Sequence, residues 1–416
     1  MSKNKNILAI GICFLLFFMI AFVTNFAGSM GVIVKEQFGA TNALSQLGTL
    51  ANFIAYLCMG IPAGLILKRK GYKFTALLAA AVGFVGVGIQ CASGYAESFL
   101  VYVIGAFVAG FSMCLLNIVV NPMLNTLGGG GNKGNQLVQF GGSLNSVGGT
   151  LAPILLGYLI GGNAAQATVA DAAPALIIAM SIFVAAFLIL AFSPIPEPHM
   201  ETAEEKALRK SGKAKDPHGP MSFRHFVLGA IAIFFYVGVE VGIPNTANLY
   251  ITAKSGATIA GWLVGAYWFL MMIGRFVGGV VGGKVSPKTM LTSVCTVLIC
   301  FICAIIFIPQ NITIEFRGAV IPFAMIFVPL CGLCTSVMWG AIFNLSTEGL
   351  GKYTALASGI FMTLVCGGGI LPFIQGLVGD ATNLIISYIV PLCGVAYMLF
   401  YALIGSKNVN KDIPVE

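Results

Sequence analysis

Charge is what this chain has least of. Of its 416 residues 9% are charged and 58% hydrophobic, with a mean hydropathy of +0.95. That leaves too little polar surface to keep a soluble domain dispersed. Histidine is scarce as well. His199, His218 and His225 all fall in or beside one central polar segment, so no histidine is available for metal chemistry inside a membrane. The 11 cysteines, Cys13, Cys58, Cys114, Cys300 and Cys366 among them, sit inside apolar runs. They read as small buried apolar residues rather than a disulfide framework or a metal site. HExxH is absent, and so are a second mid-span acid and a Ser/His pair, which speaks against an intramembrane protease or lipid transferase.

What the chain has in quantity is apolar runs. They follow one another at a length of roughly 20 residues, enough for a helix to cross a hydrocarbon core of about 30 Å. The expected class is an all-α membrane protein with helices near 7–31, 44–67, 73–93, 98–125, 136–161, 172–193, 223–251, 258–282, 287–308, 316–345, 352–378 and 384–405. The first run outlasts a signal-peptide core and is followed by Asn25 and Gly28 rather than a cleavage site, so it should remain as a span. The 52 glycines fit a bundle whose helices approach closely and slide.

The long polar stretch near Pro194 to Pro220 divides the chain into 1–193, a linker 194–222, and 223–416. Each half is expected to hold six helices. A weak repeat supports this: Pro62 to Lys73 and Gly274 to Lys288 both end a second helix with glycines and a basic turn. Two similar halves about a pseudo-two-fold axis put a solute site at mid-membrane between them.

Lys3, Lys5, Lys68, Arg69, Lys70, Lys73, Lys133, the linker cluster, Lys284, Lys288, Lys352, Lys407 and Lys411 alternate with loops holding only Lys35, Lys254 and Arg317. The alternation places both termini in the cytoplasm of a bacterial inner membrane. It also accounts for the net charge of +8 without a nucleic-acid partner. The run Gly128 to Gly131 lacks the Gly-Lys-Ser/Thr ending of a phosphate loop and reads as a turn.

Charge inside a bilayer is costly, so an intramembrane carboxylate is a functional candidate. Glu240 is the acid expected at mid-depth; it could carry a proton, help coordinate sodium, bind a sugar hydroxyl, or pair with a neighbouring helix. Gly242-Ile-Pro244 is expected to interrupt its helix, with Asn245 and Asn248 just beyond, where they could contact sugar or satisfy the kink. Asn117 and Asn121 share a helix face, next to Pro122; amides offer the donors and acceptor that sugar hydroxyls need, and they can equally tie helices together. Asn25 joins this set. Trp268 and Trp339 lie deep enough to stack on a sugar or to pack the bundle, while Trp262 reads as an interface anchor. No basic residue is expected at mid-membrane.

Ile61-Pro-Ala-Gly64, Gly71-Tyr-Lys73, Asn121-Pro122, Asn145-Ser146, Tyr236-Val-Gly-Val-Glu240, Gly274-Arg275-Phe276 and Gly367 to Pro372 recur in order over nearly the whole chain. By these the sequence resembles the major facilitator superfamily, and within it the fucose permease and glucose/galactose transporter family. The resemblance implies two pseudo-symmetric six-helix bundles alternating access around a central sugar site. It makes Asn145 a sugar contact and sets Arg275 and the Lys68-Arg69-Lys70 turn at gating loops. It also departs: the acids of the fucose–proton symporters fall at Gly28 and Asn117, and Lys68 replaces an acid in the helix 2 loop. The expected function is import of a neutral hexose or related monosaccharide. The coupling ion is a proton or sodium, no cofactor is needed, and a monomer suffices. A sugar uniporter and a non-transporting sensor are the alternatives.

Overall fold

The computed structural model describes residues 3–128, 131–160, 167–195, 197, 218–281, 285–410 and 412–414. Residues 198–217, the charged heart of the expected linker, lie outside them, as do Gly129 and Gly130. In the first half the helices are α1 (Lys3–Ser29), α2 (Gly31–Gln37), α3 (Asn42–Ser45), α4 (Leu47–Ala96), α5 (Phe99–Leu127), α6 (Gly131–Leu159) and α7 (Ala173–Phe192). The second half has α8 (Arg224–Ser255), α9 (Ala257–Val281), α10 (Pro287–Phe307), α11 (Phe327–Thr335), α12 (Met338–Thr347), α13 (Thr354–Leu364), α14 (Gly367–Ala381) and α15 (Ile389–Phe400).

Among the described residues ten helical segments are long and apolar enough to cross a membrane. Two adjustments bring the crossings to twelve. At 50 residues α4 is far longer than one crossing requires, and it breaks at Gly71, whose φ of 84° only glycine adopts cheaply. The other is α6, whose 29 residues carry too much glycine and amide to register as apolar. It needs little lipid-facing surface because it packs between α1 and α9.

The turn at Gly71 is tied by reciprocal caps. The Glu197 carboxylate accepts from the backbone N–H groups of Tyr72 and Lys73, at the positive end of the second half of α4. In return Lys73 Nζ donates to the carbonyls of Ala191 at 2.8 Å and Ser193 at 3.0 Å, at the negative end of α7. A carboxylate does serve this turn, but it comes from beyond α7 rather than from the Lys68 position.

Large apolar side chains such as Leu57, Leu65, Ile177, Leu188 and Val280 are exposed, the arrangement a lipid solvent favours. Inside, small residues set the helix spacing. A Cβ at Gly110 of α5 would lie 2.1 Å from the Asn52 carbonyl oxygen of α4, and one at Gly367 of α14 would lie 2.0 Å from the Phe234 carbonyl oxygen of α8. All 11 cysteines are free. Cys300/Cys303 and Cys331/Cys334 have CxxC spacing, but each pair sits on one helical turn within a span, and no metal-ligating cluster exists among the described residues.

Two expectations are corrected. The tenth span does not begin at 316, because β1 (Thr313–Phe316) and β2 (Ala319–Pro322) form an antiparallel hairpin there. Arg317 and Gly318 turn it with φ of 52° and 80°, the left-handed pair of a type I′ turn. Nor does Pro244 interrupt its helix, since α8 runs unbroken from Arg224 to Ser255.

Replacing Gly110 by alanine should force α4 and α5 apart and cost about 1–3 kcal/mol, read as a lower melting temperature of the detergent-purified protein. Ile177→Ala on the lipid-facing surface should shift the melt by less than half as much. Equal shifts would mean that the helix spacing does not depend on Gly110.

Candidate functional site

Where the halves meet, one guanidinium holds both. Arg275 on α9 sets Nη2 3.2 Å from Glu240 Oε1 on α8. Its Nη1 donates to the Gly142 carbonyl at 2.7 Å, to Ser146 Oγ at 2.9 Å and to Asn145 Oδ1 at 3.4 Å, all on α6 of the other half. The Arg275 and Glu240 side chains are only 13% and 12% exposed. The expectation of no basic residue in the interior is therefore wrong. Arg275 starts near the inner end of its helix, but its long arm points along the interface rather than into a loop.

Pro244 explains a second feature. It has no N–H, so the carbonyl of Glu240, four residues earlier, loses its helical donor. Tyr267 replaces it: its hydroxyl donates to the Glu240 carbonyl at 3.0 Å and lies 3.1 Å from Thr335 Oγ1. The helix continues because a side chain from α9 satisfies the orphaned oxygen, and Glu240 is fixed by the same contact.

Tyr236 lies one turn before Glu240 on the same face. It is fully buried, and its hydroxyl is within hydrogen-bonding and electrostatic reach of both Glu240 and Arg275. Its ring packs edge-on to Trp339, 6.1 Å between centroids. Trp268 packs over Gly149, where the Asn25 amide also converges: a Cβ there would lie 3.0 Å from the indole and 3.2 Å from Asn25 Nδ2.

The remaining candidates are placed as follows. Asn145 donates to the Phe17 carbonyl at 3.0 Å, which aims its oxygen at Arg275. Asn25 donates to its own helix at Ala21. Asn117 donates to Tyr56 at 3.0 Å, and Asn121 to the Asn117 carbonyl at 2.9 Å. Asn245 and Asn248 do not join the ion pair. They reach across to the first half, Asn245 to Gln46 at 3.1 Å and Thr49 at 3.4 Å, Asn248 to the Ser29 carbonyl at 3.4 Å. Lys68 and Arg69 are exposed at the Gly71 turn, remote from this cluster in the fold.

The space for one absent acid is also accounted for. A Cβ at Gly28 would lie 2.7 Å from Asn245 Oδ1, so the amide from α8 occupies what a longer helix 1 side chain would need. A sodium ion is not favoured by this arrangement. The Glu240 carbonyl is already bonded, its carboxylate faces a guanidinium, and the unwound segment that would have exposed further carbonyls does not exist.

Sequence reasoning missed Tyr236, Tyr267 and the Arg275 partnership. Tyr267 was recoverable in part, since a proline four residues after Glu240 demands an outside donor. Trp262 is more than an interface anchor. Its Nε1 donates to Tyr158 of α6 at 3.2 Å, and the Arg317 guanidinium lies 3.8 Å above its ring.

Twelve crossings in two halves, with an ion pair and amides along the seam, define a membrane transporter rather than an enzyme. The model of the Major Facilitator Superfamily matches residues 12–372, and the chain belongs to that superfamily. A relative from Brucella abortus, named glucose/galactose transporter, is 30% identical over 98% of this chain and 96% of its own length. The L-fucose-proton symporter of Escherichia coli K12 is 22% identical over 94% of this chain and 92% of its own. The fold matches the inward-open xylose transporter XylE of E. coli at a TM-score of 0.72 and 13% identity, covering 97% of this chain and 96% of that one.

An ion pair of this kind is tested by removing it in two ways. Arg275→Met leaves the Glu240 carboxylate without a partner in the interior and should cost on the order of 3–5 kcal/mol. Arg275→Met combined with Glu240→Gln should recover most of the lost melting temperature. If the single and double variants melt together, the pair does not couple the two helices.

Proposed function

We propose that this protein is a secondary active transporter that imports a neutral monosaccharide by alternating access, coupled to protons through Glu240. Both termini lie in the cytoplasm of a bacterial inner membrane, residues 1–193 and 223–416 are the moving halves, and 194–222 is their linker. The observation that carries the reading is the single guanidinium of Arg275, shared between Glu240 of one half and Gly142, Asn145 and Ser146 of the other. Support for the substrate class comes from the amides along the seam and from the B. abortus relative's name. Support for the proton comes from the E. coli symporter's name.

The coupling follows from charge balance. With Glu240 ionised, the pair is neutral. A proton on Glu240 leaves the guanidinium unpaired in a low-dielectric interior, a costly state unless new acceptors arrive. A sugar brings them: its hydroxyl and ring oxygens accept from Arg275, while the protonated Glu240, Tyr236 and Asn145 complete the hydrogen bonding. Proton and sugar thus favour each other's binding, which is what symport requires. Trp268 and Trp339 offer flat apolar faces for the sugar's C–H surface. Asn25, Asn117 and Asn121 extend the polar lining, and Asn245 and Asn248 act where the halves close. Lys68 and Arg69 serve the turn at the cytoplasmic face, with Arg275 as the gating residue that joins the halves.

Uptake of labelled D-glucose and D-galactose into proteoliposomes, under proton and sodium gradients imposed separately, tests this directly. Wild type should accumulate sugar under the proton gradient alone. Glu240→Gln, which fixes the neutral form, should lose at least about tenfold of gradient-driven accumulation while still exchanging sugar down its gradient. Sugar movement with no response to either ion would make the protein a uniporter. No uptake of any hexose would end the monosaccharide reading.

A further inference from the structure

On the face away from the termini, the halves meet a second time through an acid. Asp380, next to the last residue of α14, accepts from two successive backbone N–H groups of the first half, Asn42 at 2.7 Å and Ala43 at 2.9 Å. These belong to α3, the short helical turn that leads into α4. Lys35 Nζ donates to Asn42 Oδ1 at 2.6 Å, and Thr41 Oγ1 accepts from Leu44 N, so the turn is held in the shape that aims its free N–H groups outward. The helix approach beneath is close. A Cβ at Gly376, one turn before Asp380, would lie 2.6 Å from Ala43 Cα.

From this geometry we infer that Asp380 is a gating residue for the face away from the termini: its carboxylate clasps the start of α4 when that face is closed and must let go for the face to open. A carboxylate is suited to the task. It takes both N–H groups at once with charge-assisted hydrogen bonds, and on separation water can replace those bonds at an exposed position, so the clasp is reversible. Buried apolar contacts at the same place would be harder to break, and a neutral side chain would hold less firmly. Gly376 acts with it by letting the α14 backbone reach Ala43. The clasp lies at the opposite end of the interface from the Lys68-Arg69 turn, and it concerns access to the site rather than what the site binds.

Opening can be read without any sugar. Thr49 is 2% exposed and lies under the clasp, facing Asn245 of the other half. A Thr49→Cys protein in right-side-out membrane vesicles is treated with a charged, impermeant maleimide. With Asp380 intact, labelling of the introduced thiol should be slow. Adding Asp380→Asn should speed it at least about threefold, and adding Gly376→Val, which pushes the same surfaces apart without touching the carboxylate, should do likewise. The native buried cysteines Cys13, Cys114 and Cys331 report general loosening and should label no faster. Unchanged labelling of Thr49→Cys in both variants, or an equal rise at the native cysteines, overturns the gate. Failure of the hexose reading would appear only as absent uptake, so the two outcomes stay separate.

Discussion

A guanidinium presents five N–H donors and does not give up its proton, so wherever Arg275 is buried it must find acceptors. Here it finds them on two helices from different halves, one a carboxylate and the others a carbonyl, a hydroxyl and an amide oxygen. The rest of the interior is arranged around that demand. Asn145 is held by the Phe17 carbonyl so that its oxygen faces Arg275. Glu240 is held by Tyr267, whose hydroxyl meets the carbonyl that Pro244 leaves unpaired. Tyr236 contributes a buried hydroxyl beside both charges. The halves therefore cannot separate at this level without providing Arg275 with other acceptors.

The two absent acids make sense in the same terms. In a chain where helix 1 carries glycine at position 28, the neighbouring α8 can send Asn245 into the space, and the amide then ties the halves through Gln46 and Thr49. Asn117 donates to Tyr56 instead of carrying a charge. The proposed function accordingly rests on one carboxylate, the one in contact with the guanidinium. A single acid with a single counter-charge is the smallest set that can link protonation to a change in which half Arg275 grips.

Much of the fold was legible in the residues. Hydropathy gave the crossings because lipid tolerates few charges, and α6 was expected at 136–161 as one more apolar run although glycines and amides interrupt it. Glu240 stood out because it is an acid in an apolar run. Its partner did not stand out, because Arg275 sits a few residues from the end of α9, where a lysine or arginine ordinarily anchors to the headgroups. Only the direction of its side chain distinguishes the two roles. The hairpin at Thr313 to Pro322 carried a readable signal, alternating side chains about Arg317-Gly318, yet hydropathy absorbed it into a span. Asn245 and Asn248 were read as contacts to sugar or as amides satisfying a kink at Pro244. Helix-to-helix bonding uses the same donors and acceptors, so residue type alone could not decide between them.

The interface has contacts of two chemical kinds at two depths, and the difference bears on how such a bundle can move. At the buried level the bonds are those of Arg275 and of the Asn245 and Asn248 amides, and those to the charged guanidinium are the most expensive to break because no water stands ready to replace them. Toward the face away from the termini, the bonds of Asp380 to α3 and of Thr258 to the Gly157 carbonyl at 3.0 Å, with the Tyr158–Trp262–Arg317 stack, lie where solvent can take over. Rocking one half against the other therefore meets little resistance at the rim and most at the ion pair. In the symport proposed above, the step that controls the transition is the one that changes the needs of Arg275, and a proton and a polar solute arriving together are the ligands assigned to it.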